Sequence, residues 1–197
     1  MQPSARTVTY TPPAAIAEIR GEKDLLKRKL LLAGYLTKRL QEEEVKTYVV
    51  GGFAAEVYTG GQFKTADVDL VASNTEKLIR CLEDELGFNL IKEGLRGWIN
   101  EELGIAVDVV GTALTGSEDK VNKIEVSKWT VNLIGLEDLI VMNFCGFRYW
   151  DDPHDLERAY AIIGAHKEKI DWEYLRKKAI DEHVEDLLSK AREKLGC

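Results

Sequence analysis

The sequence predicts an α/β protein, also describable as α+β, in which a mixed sheet is flanked by helices and followed by a helical C-terminal part. Short apolar segments broken by glycines alternate with helical stretches in the middle of the chain. From Leu136 onward, apolar residues recur only at helical spacing. We therefore expect a flexible tail at residues 1–13, an α/β core at 14–134 and a helical C-terminal subdomain at 135–197.

The individual elements follow from local patterns. Leucines among Lys and Glu over 14–44 predict one long helix, or two helices joined near Gly21. Asp152-Pro153 is typical of a helix start, with a capping side chain followed by proline in the first turn, and Asp171 can cap the last helix. The predicted strands are 45–50, 68–71, 88–91, 97–99, 105–110 and 131–134. The predicted helices are 14–44, 53–58, 75–86 with Gly87 as its C-cap, one from Leu136, one from Pro153, and one from Trp172 through Leu188.

The composition restricts the class of protein. The 197 residues carry a net charge of −7 and a pI near 5.2, whereas dedicated nucleic-acid binders are usually basic. No apolar run approaches the roughly 20 residues needed to span a membrane, and the N-terminus has no signal-peptide pattern. The three cysteines lack metal-site spacing, which indicates reduced thiols. We expect a cytoplasmic protein with no membrane partner.

A glycine pair, Gly51-Gly52, ends the apolar run at 45–50. Glycine lets backbone N–H groups approach an anion closely, and the start of the following helix adds a positive dipole end. The pair is neither a Walker A loop nor a dinucleotide fingerprint. Alone, a glycine pair between a strand and a helix is more often a tight structural turn.

Asp67 and Asp69 stand on the next apolar segment with one residue between them. Alternate side chains of a strand share a face, and their Cα atoms would lie roughly 6.5 Å apart at strand rise. A pair of carboxylates suits Mg²⁺, which binds one or two carboxylates together with substrate phosphates. The other interpretation is a strand start with one exposed aspartate.

Asp108 interrupts the apolar strand at 105–110, where an isolated charge is costly. On a strand beside the aspartate pair, it would complete a two-metal site and help to deprotonate an attacking hydroxyl. An edge strand that faces water is the alternative. Lys64 and Thr65 directly precede the pair, and Lys64 is either a phosphate contact or a surface lysine.

Together these segments resemble the nucleotidyltransferase superfamily, which has a polymerase-β-like fold. Its members share a Gly-Gly-x-Ala motif, then a basic residue and Thr shortly before Asp-x-Asp, then an aspartate on a later strand. The matching segments are 51–54, 64–70 and 107–109, and the resemblance extends over roughly 25–190. Within the superfamily, the chain resembles uncharacterised prokaryotic nucleotidyltransferases related to abortive-infection-type toxins.

The resemblance implies a function and a set of site residues. It implies Mg²⁺-dependent (or Mn²⁺-dependent) transfer of a nucleoside monophosphate from an NTP to a hydroxyl on an RNA end, a protein or a small molecule. Asp67, Asp69 and Asp108 would be the metal ligands and catalytic residues. The nucleotide would be bound by Gly51, Gly52, Lys64, Thr65 and Asn143.

The chain departs from the family pattern at two positions. Phe53 follows the glycine pair where relatives have Ser or Ala, and Asn143 stands where toxin-type relatives often have lysine. Asn143 lies on an apolar helix stripe, where it either faces the cleft or is a satisfied core amide. The pattern assigns no firm role to Arg148 or Asp155.

Two further functional classes stay open at this stage. The departures favour a catalytically impaired nucleotide-binding module, or a toxin–antitoxin-type module with a protein partner. The carboxylates would alternatively hold a divalent cation in a small acidic binding protein. The acceptor, the preferred NTP and the oligomeric state are not determined by the sequence.

Overall fold

The structure, a computed structural model, describes residues 14–91 and 96–197 and has a mixed α/β architecture. The predicted tail at 1–13 lies outside the described residues. The helices are α1 Ala14–Gly21, α2 Leu25–Gln41, α3 Gly51–Tyr58, α4 Thr75–Arg80, α5 Leu136–Trp150, α6 Pro153–His166, α7 Trp172–Asp181 and α8 Glu185–Leu195. A π-helical turn, Cys81–Glu85, extends α4, and a 3₁₀ turn spans Glu118–Lys120. The strands are β1 Thr47–Val49, β2 Asp67–Ala72, β3 Asn89–Leu90, β4 Gly97–Asn100, β5 Ile105–Gly111, β6 Asn122–Val126 and β7 Trp129–Leu133.

The strands of the described ranges form one mixed sheet in the order β3-β4-β5-β2-β1-β7-β6. The central strand β2 runs parallel to β5 and antiparallel to β1, and β1 runs parallel to β7. In the β2–β5 ladder, Asp69 lies directly opposite Asp108. The topology therefore brings two segments together that are about forty residues apart in the sequence.

Alternation along the central strands separates the core from the candidate site. Val68 and Leu70 of β2, and Val107 of β5, are buried, while the aspartates between them point to the opposite face. The long helix α2 packs against β1 and β7. Its buried leucines, which share the core with these strands, are Leu31, Leu32, Leu36 and Leu40.

Most predicted elements are present, with two corrections. The helix predicted from Trp172 through Leu188 is in fact two helices, because the chain turns after Asp181. His183 has φ +59°, and the N–H groups of His183 and Val184 donate to the carbonyls of Ile180 and Ala179, respectively. This is the hydrogen-bond pattern of a Schellman C-cap, which usually has glycine at the position that His183 occupies.

The second correction is β6, which the sequence did not predict. Asn122–Val126 is largely exposed and polar, and it pairs only with β7 at the edge of the sheet. An edge strand with little buried surface has no need of the apolar alternation by which strands are recognised.

Helix starts agree with the predicted caps. The side chains of Asp152 and Asp171 accept backbone N–H groups at the starts of α6 and α7, with Pro153 in the first turn of α6. Gly87 has φ +68° just beyond the turn that follows α4, as its predicted capping role requires.

No helix within the described ranges is long and apolar enough to cross a membrane. The division at residue 134 stays a prediction.

Candidate functional site

Three carboxylates converge on the open face of β2 and β5. Asp67 and Asp69 extend from β2 and Asp108 from β5, and all three side chains are half-buried. One carboxylate oxygen from each residue lies within 4.8 Å of those of the other two. The parallel register, with Asp69 opposite Asp108, produces this arrangement, which has the size and chemistry of a divalent-cation site.

In the part of the chain that the structure describes, no basic side chain offsets the negative charge of this cluster. Within the described residues, no Lys, Arg or His lies within ion-pair distance of the three carboxylates. Burial, reinforced by the charge of Asp67 and more weakly by that of Asp108, raises the pKa of Asp69 to about 6. Burial and the charge of Asp67 likewise raise the pKa of Asp108. Oxygen ligands with unmet negative charge fit Mg²⁺ or Mn²⁺.

The glycine pair forms the turn beside these carboxylates. Gly51 has φ +58°, and a Cβ at this position would lie 2.6 Å from Oδ2 of Asp69, so only glycine fits without displacement. The eight-residue helix α3 starts here, and its N–H at Phe53 donates to Oδ2 of Asp69 across 3.3 Å. Its N-cap, Val50, provides no side-chain acceptor. The start of α3 therefore directs backbone donors towards the site, as an anion-binding turn requires.

Phe53 does not obstruct the site. Its side chain is fully buried in the core, while its backbone N–H faces Asp69. The ammonium group of Lys29 lies 4.7 Å from the centroid of its ring. The departure from the family pattern at this position therefore changes the packing beneath the turn and leaves its backbone donors in place.

Of the two residues that precede the aspartate pair, one contacts the cluster. Oγ1 of Thr65 donates to Oδ1 of Asp67 across 2.6 Å, and it lies 3.4 Å from where a Cβ on Gly52 would be. Lys64 is exposed, and no ion pair involving it is found among the described residues. Nucleotide binding by Gly51, Gly52, Lys64 and Thr65 stays a prediction.

The predicted residues of α5 and α6 contact partners outside the carboxylate cluster. Asn143 is buried and its Nδ2 donates to the carbonyl of Leu139 across 2.8 Å, within the same helix. Its predicted role in nucleotide binding is not tested by this contact. Arg148 pairs with Asp186 on α8, and Asp155 accepts from Arg158 across 2.7 Å. No described contact joins these side chains to the three carboxylates.

Sequence reasoning missed three residues that surround the cluster. Gly97 on β4 lies opposite Asp108, and a Cβ there would be 2.9 Å from Oδ1 of Asp108. Lys29 on α2 and Glu56 on α3 form an ion pair that is almost completely buried beneath the turn. The available signal was Glu56, the only charged residue in an otherwise apolar helix, where a lone charge requires a partner.

Comparison with solved structures identifies the fold. The chain is similar to an antigenic nucleotidyltransferase-like protein from Paracoccidioides brasiliensis, with a TM-score of 0.58, 15% identity, and coverage of 86% of this chain and 93% of that one. It also matches the antibiotic-resistance factor ANT(2'')-Ia with 18% identity, 80% and 91% coverage and a TM-score of 0.49, which is too low to carry an argument. Neither a scan against protein-family models nor a search of curated proteins finds a match.

The first of these likenesses confirms the predicted fold class, a nucleotidyltransferase-like mixed sheet flanked by helices. At this identity it establishes the fold and leaves the activity open. The resemblance to abortive-infection-type toxins gains no support from either structure and remains a prediction.

Proposed function

We propose that this protein is a Mg²⁺-dependent nucleotidyltransferase that transfers a nucleoside monophosphate from an NTP to a hydroxyl group. The observation that carries the proposal is the convergence of Asp67, Asp69 and Asp108, with no cationic partner among the described residues, beside a glycine turn at a helix start. Carboxylates for a metal and backbone donors for phosphates are the two components that phosphoryl chemistry needs. The nucleotidyltransferase-like fold is consistent with this activity.

The three carboxylates would hold one or two Mg²⁺ or Mn²⁺ ions. When bound, such ions neutralise phosphate charge and make a coordinated hydroxyl more acidic. The N–H groups at Gly51 and Gly52, together with the start of α3, would bind the β- and γ-phosphates. Lys64 would supply a further positive charge and Thr65 would hold Asp67 in place. Nucleotide contact by Asn143 is the weakest part of this proposal, because its amide already binds Leu139.

In the proposed reaction, the acceptor oxygen attacks the α-phosphorus of the NTP. The new O–P bond forms as the bond from the α-phosphorus to the bridging oxygen breaks, and pyrophosphate leaves with that electron pair. The proton of the acceptor hydroxyl passes to the carboxylate of Asp108, which acts as the general base in this proposal. The acceptor would be an RNA end, a protein or a small molecule, and the net charge of −7 favours the latter two over large RNA.

The test measures binding and transfer separately. First, the thermal unfolding of the protein is followed with each of the four NTPs, with and without Mg²⁺. Then α-labelled NTP is incubated with total RNA, a protein extract or a polyhydroxylated small molecule, and transfer and pyrophosphate release are measured. For Asp67→Asn, Asp69→Asn and Asp108→Asn we expect at least about a 1000-fold loss of transfer, since each removes a metal ligand.

Asp84→Asn is the matched control, because it makes the same charge change at an exposed position on the π-helical turn. It should transfer at the wild-type rate. Retention of transfer by the Asp67→Asn Asp69→Asn double variant would exclude these carboxylates from the reaction.

A nucleotide-binding module without turnover is the second candidate, including one that acts in a toxin–antitoxin pair. The position of Asn143 favours it, since a buried amide bonded to its own helix brings no positive charge to a triphosphate. Mg²⁺-dependent NTP binding without pyrophosphate release under any acceptor condition would support this function over transfer.

A further inference from the structure

We propose that the buried ion pair Lys29–Glu56 positions the carboxylate site by fixing Thr65 and, through it, Asp67. The two residues lie on different helices, α2 and α3, and their side chains are only 1% and 5% exposed. They would act without touching a substrate, as positioning residues. This inference rests on the proposed function, because it assigns the pair to the same site.

The ion pair holds Thr65 at both of its backbone polar groups. The N–H of Thr65 donates to Oε2 of Glu56 across 3.2 Å, and Nζ of Lys29 donates to the carbonyl of Thr65 across 3.1 Å. Thr65 has little freedom to rotate or shift while both bonds are present. Its side chain then donates to Oδ1 of Asp67 across 2.6 Å, which fixes the orientation of one of the three carboxylates.

The pair also joins the two halves of the site. Glu56 belongs to α3, which starts at Gly51 and directs its N–H groups towards the carboxylates. Thr65 belongs to the segment that leads into β2 and Asp67. A single buried contact therefore sets the position of the phosphate-binding turn relative to the metal-binding strand.

The cost of burying this pair argues for positioning over simple stability. Removing two charges from water is expensive, and well-packed apolar residues often replace a buried ion pair without loss of stability. The bonds to Thr65 are what an apolar replacement would not provide. Another ion pair of α2, Arg39–Glu85, is a quarter to a third exposed and contacts the π-helical turn, away from Thr65 and the carboxylates.

The test compares these two ion pairs in the full-length protein. Lys29→Met Glu56→Leu removes both charges of the buried pair, and Arg39→Met Glu85→Leu does the same for the control. Four quantities are measured for each: thermal stability, Mn²⁺ affinity by titration of the metal-free protein, and the kcat and KM of NTP-dependent pyrophosphate release. We expect the buried-pair variant to lose about 10- to 100-fold in Mn²⁺ affinity and kcat, with the KM for NTP little changed. The control should lose stability alone.

Substitutions of Thr65 provide an independent test of the positioning role. Thr65→Val removes the hydroxyl that binds Asp67 and should weaken Mn²⁺ binding and kcat in the same direction. Thr65→Ser keeps the hydroxyl and should restore both. If Lys29→Met Glu56→Leu does not fold, Glu56→Asp takes its place, because it keeps the charge but withdraws the carboxylate from Thr65 by one methylene.

The outcomes separate this inference from the proposed function. An active wild-type protein, with kcat and Mn²⁺ affinity unchanged in the Lys29, Glu56 and Thr65 variants, would overturn the positioning role alone. A wild-type protein that neither binds Mn²⁺ nor releases pyrophosphate would overturn the proposed function and the inference with it. If the wild-type protein binds Mn²⁺ without turnover, the Mn²⁺ affinities of the variants test the positioning role. A lowered affinity in the Lys29, Glu56 and Thr65 variants would support that role, and an unchanged affinity would overturn it.

Discussion

Two groups of acidic side chains in this protein have opposite surroundings. At the start of α5, Glu137 and Asp138 are only 6% and 2% exposed, so they are more deeply buried than the three half-buried aspartates of β2 and β5. Asp138 nevertheless accepts two hydrogen bonds, from the N–H of Ser117 across 2.9 Å and from the hydroxyl of Tyr174 across 2.8 Å. Glu137 accepts the N–H of Asp171 across 2.7 Å.

What distinguishes the two groups is whether like charges face one another, and not depth of burial. The hydroxyl of Thr65 and the N–H of Phe53 donate to the aspartates of β2 and β5 but leave the repulsion among the three carboxylates in place. The acidic pair of α5 has donors from two segments, at Ser117 and at the start of α7, and lies in the first turn of a helix, where the dipole favours negative charge. Asp67 and Asp108 face one another and Asp69, with no described cation within ion-pair distance. Donors of the protein itself offset the charges of the first group, whereas a bound cation would offset those of the second.

The largest predicted effect on stability is at Asp138, in the acidic pair at the start of α5. Asp138→Ala removes a buried carboxylate that accepts from the partly buried hydroxyl of Tyr174 and N–H of Ser117, and a hydrogen bond to a charged group contributes about 1.5–3 kcal/mol. We expect the free energy of unfolding to fall by about 4 kcal/mol, measured by chemical denaturation at neutral pH.

Asp84→Ala, at an exposed position, serves as the control and should change stability by less than about 0.5 kcal/mol. The interpretation of Asp138 as a structural residue would be wrong if Asp138→Ala unfolded at the wild-type denaturant concentration. Loss of Mn²⁺ binding without loss of stability would instead place Asp138 in the metal site.

The comparison also explains what the sequence could and could not predict about the site. Asp67, Asp69 and Asp108 were identifiable because each interrupts an apolar strand, and strand alternation places such residues on one face. Gly97 and Lys29 were not, because their roles depend on which elements become neighbours. Glu56 stood out as the lone charge of an apolar helix, but the sequence did not indicate its partner. Lys29 lies among other basic residues of α2, and nothing local marks it as buried.

The fold was predictable where a local pattern determines the structure. Caps at Asp152 and Asp171 and the β-branched strand β5 were recognisable in this way. The break before α8 was not, because His183 occupies a position that glycine usually marks. Strand β6 was also missed, since its pairing to β7 comes from the sheet and not from its own apolar residues.

The next largest effect is a gain of stability when Asp69, one of the three clustered aspartates, is replaced by asparagine. The pKa of Asp69 is about 6 in the folded protein against an ordinary value of 3.8, so the folded state binds a proton that the unfolded state has already lost between these pH values. Without metal, the free energy of unfolding therefore falls as the pH rises from about 4 to 6, by roughly 3 kcal/mol from this group. Asp69→Asn removes this loss and keeps an oxygen that can accept the N–H of Phe53.

We therefore expect metal-free Asp69→Asn to be more stable than the wild type above pH 6, and the two to converge below pH 4. The quantity to measure is the difference between the two proteins at each pH, in buffer with EDTA. This difference removes the opposing contributions of carboxylates such as Asp171, whose pKa is lowered by Lys120. A variant less stable than the wild type at every pH would show that Asp69 is satisfied by the protein itself.

The smallest predicted effect is the stabilisation of the folded protein by metal, which should depend on the three aspartates of β2 and β5 alone. A ligand present at a hundred times its Kd stabilises the folded state by about 2.7 kcal/mol, provided that it does not bind the unfolded chain. Mg²⁺ or Mn²⁺ should therefore raise the unfolding temperature of the wild type, and EDTA should reverse the rise. Asp69→Asn should show little of this shift, so that added metal removes most of its advantage over the wild type.

Asp138→Ala is the informative control for this experiment, because it starts from a lower stability but keeps all three carboxylates of β2 and β5. Its unfolding temperature should rise with metal by about as much as that of the wild type. An equal rise in Asp69→Asn would place the bound ion elsewhere on this acidic protein. A rise in the wild type and in Asp138→Ala, but not in Asp69→Asn, would assign the ion to the three carboxylates of β2 and β5.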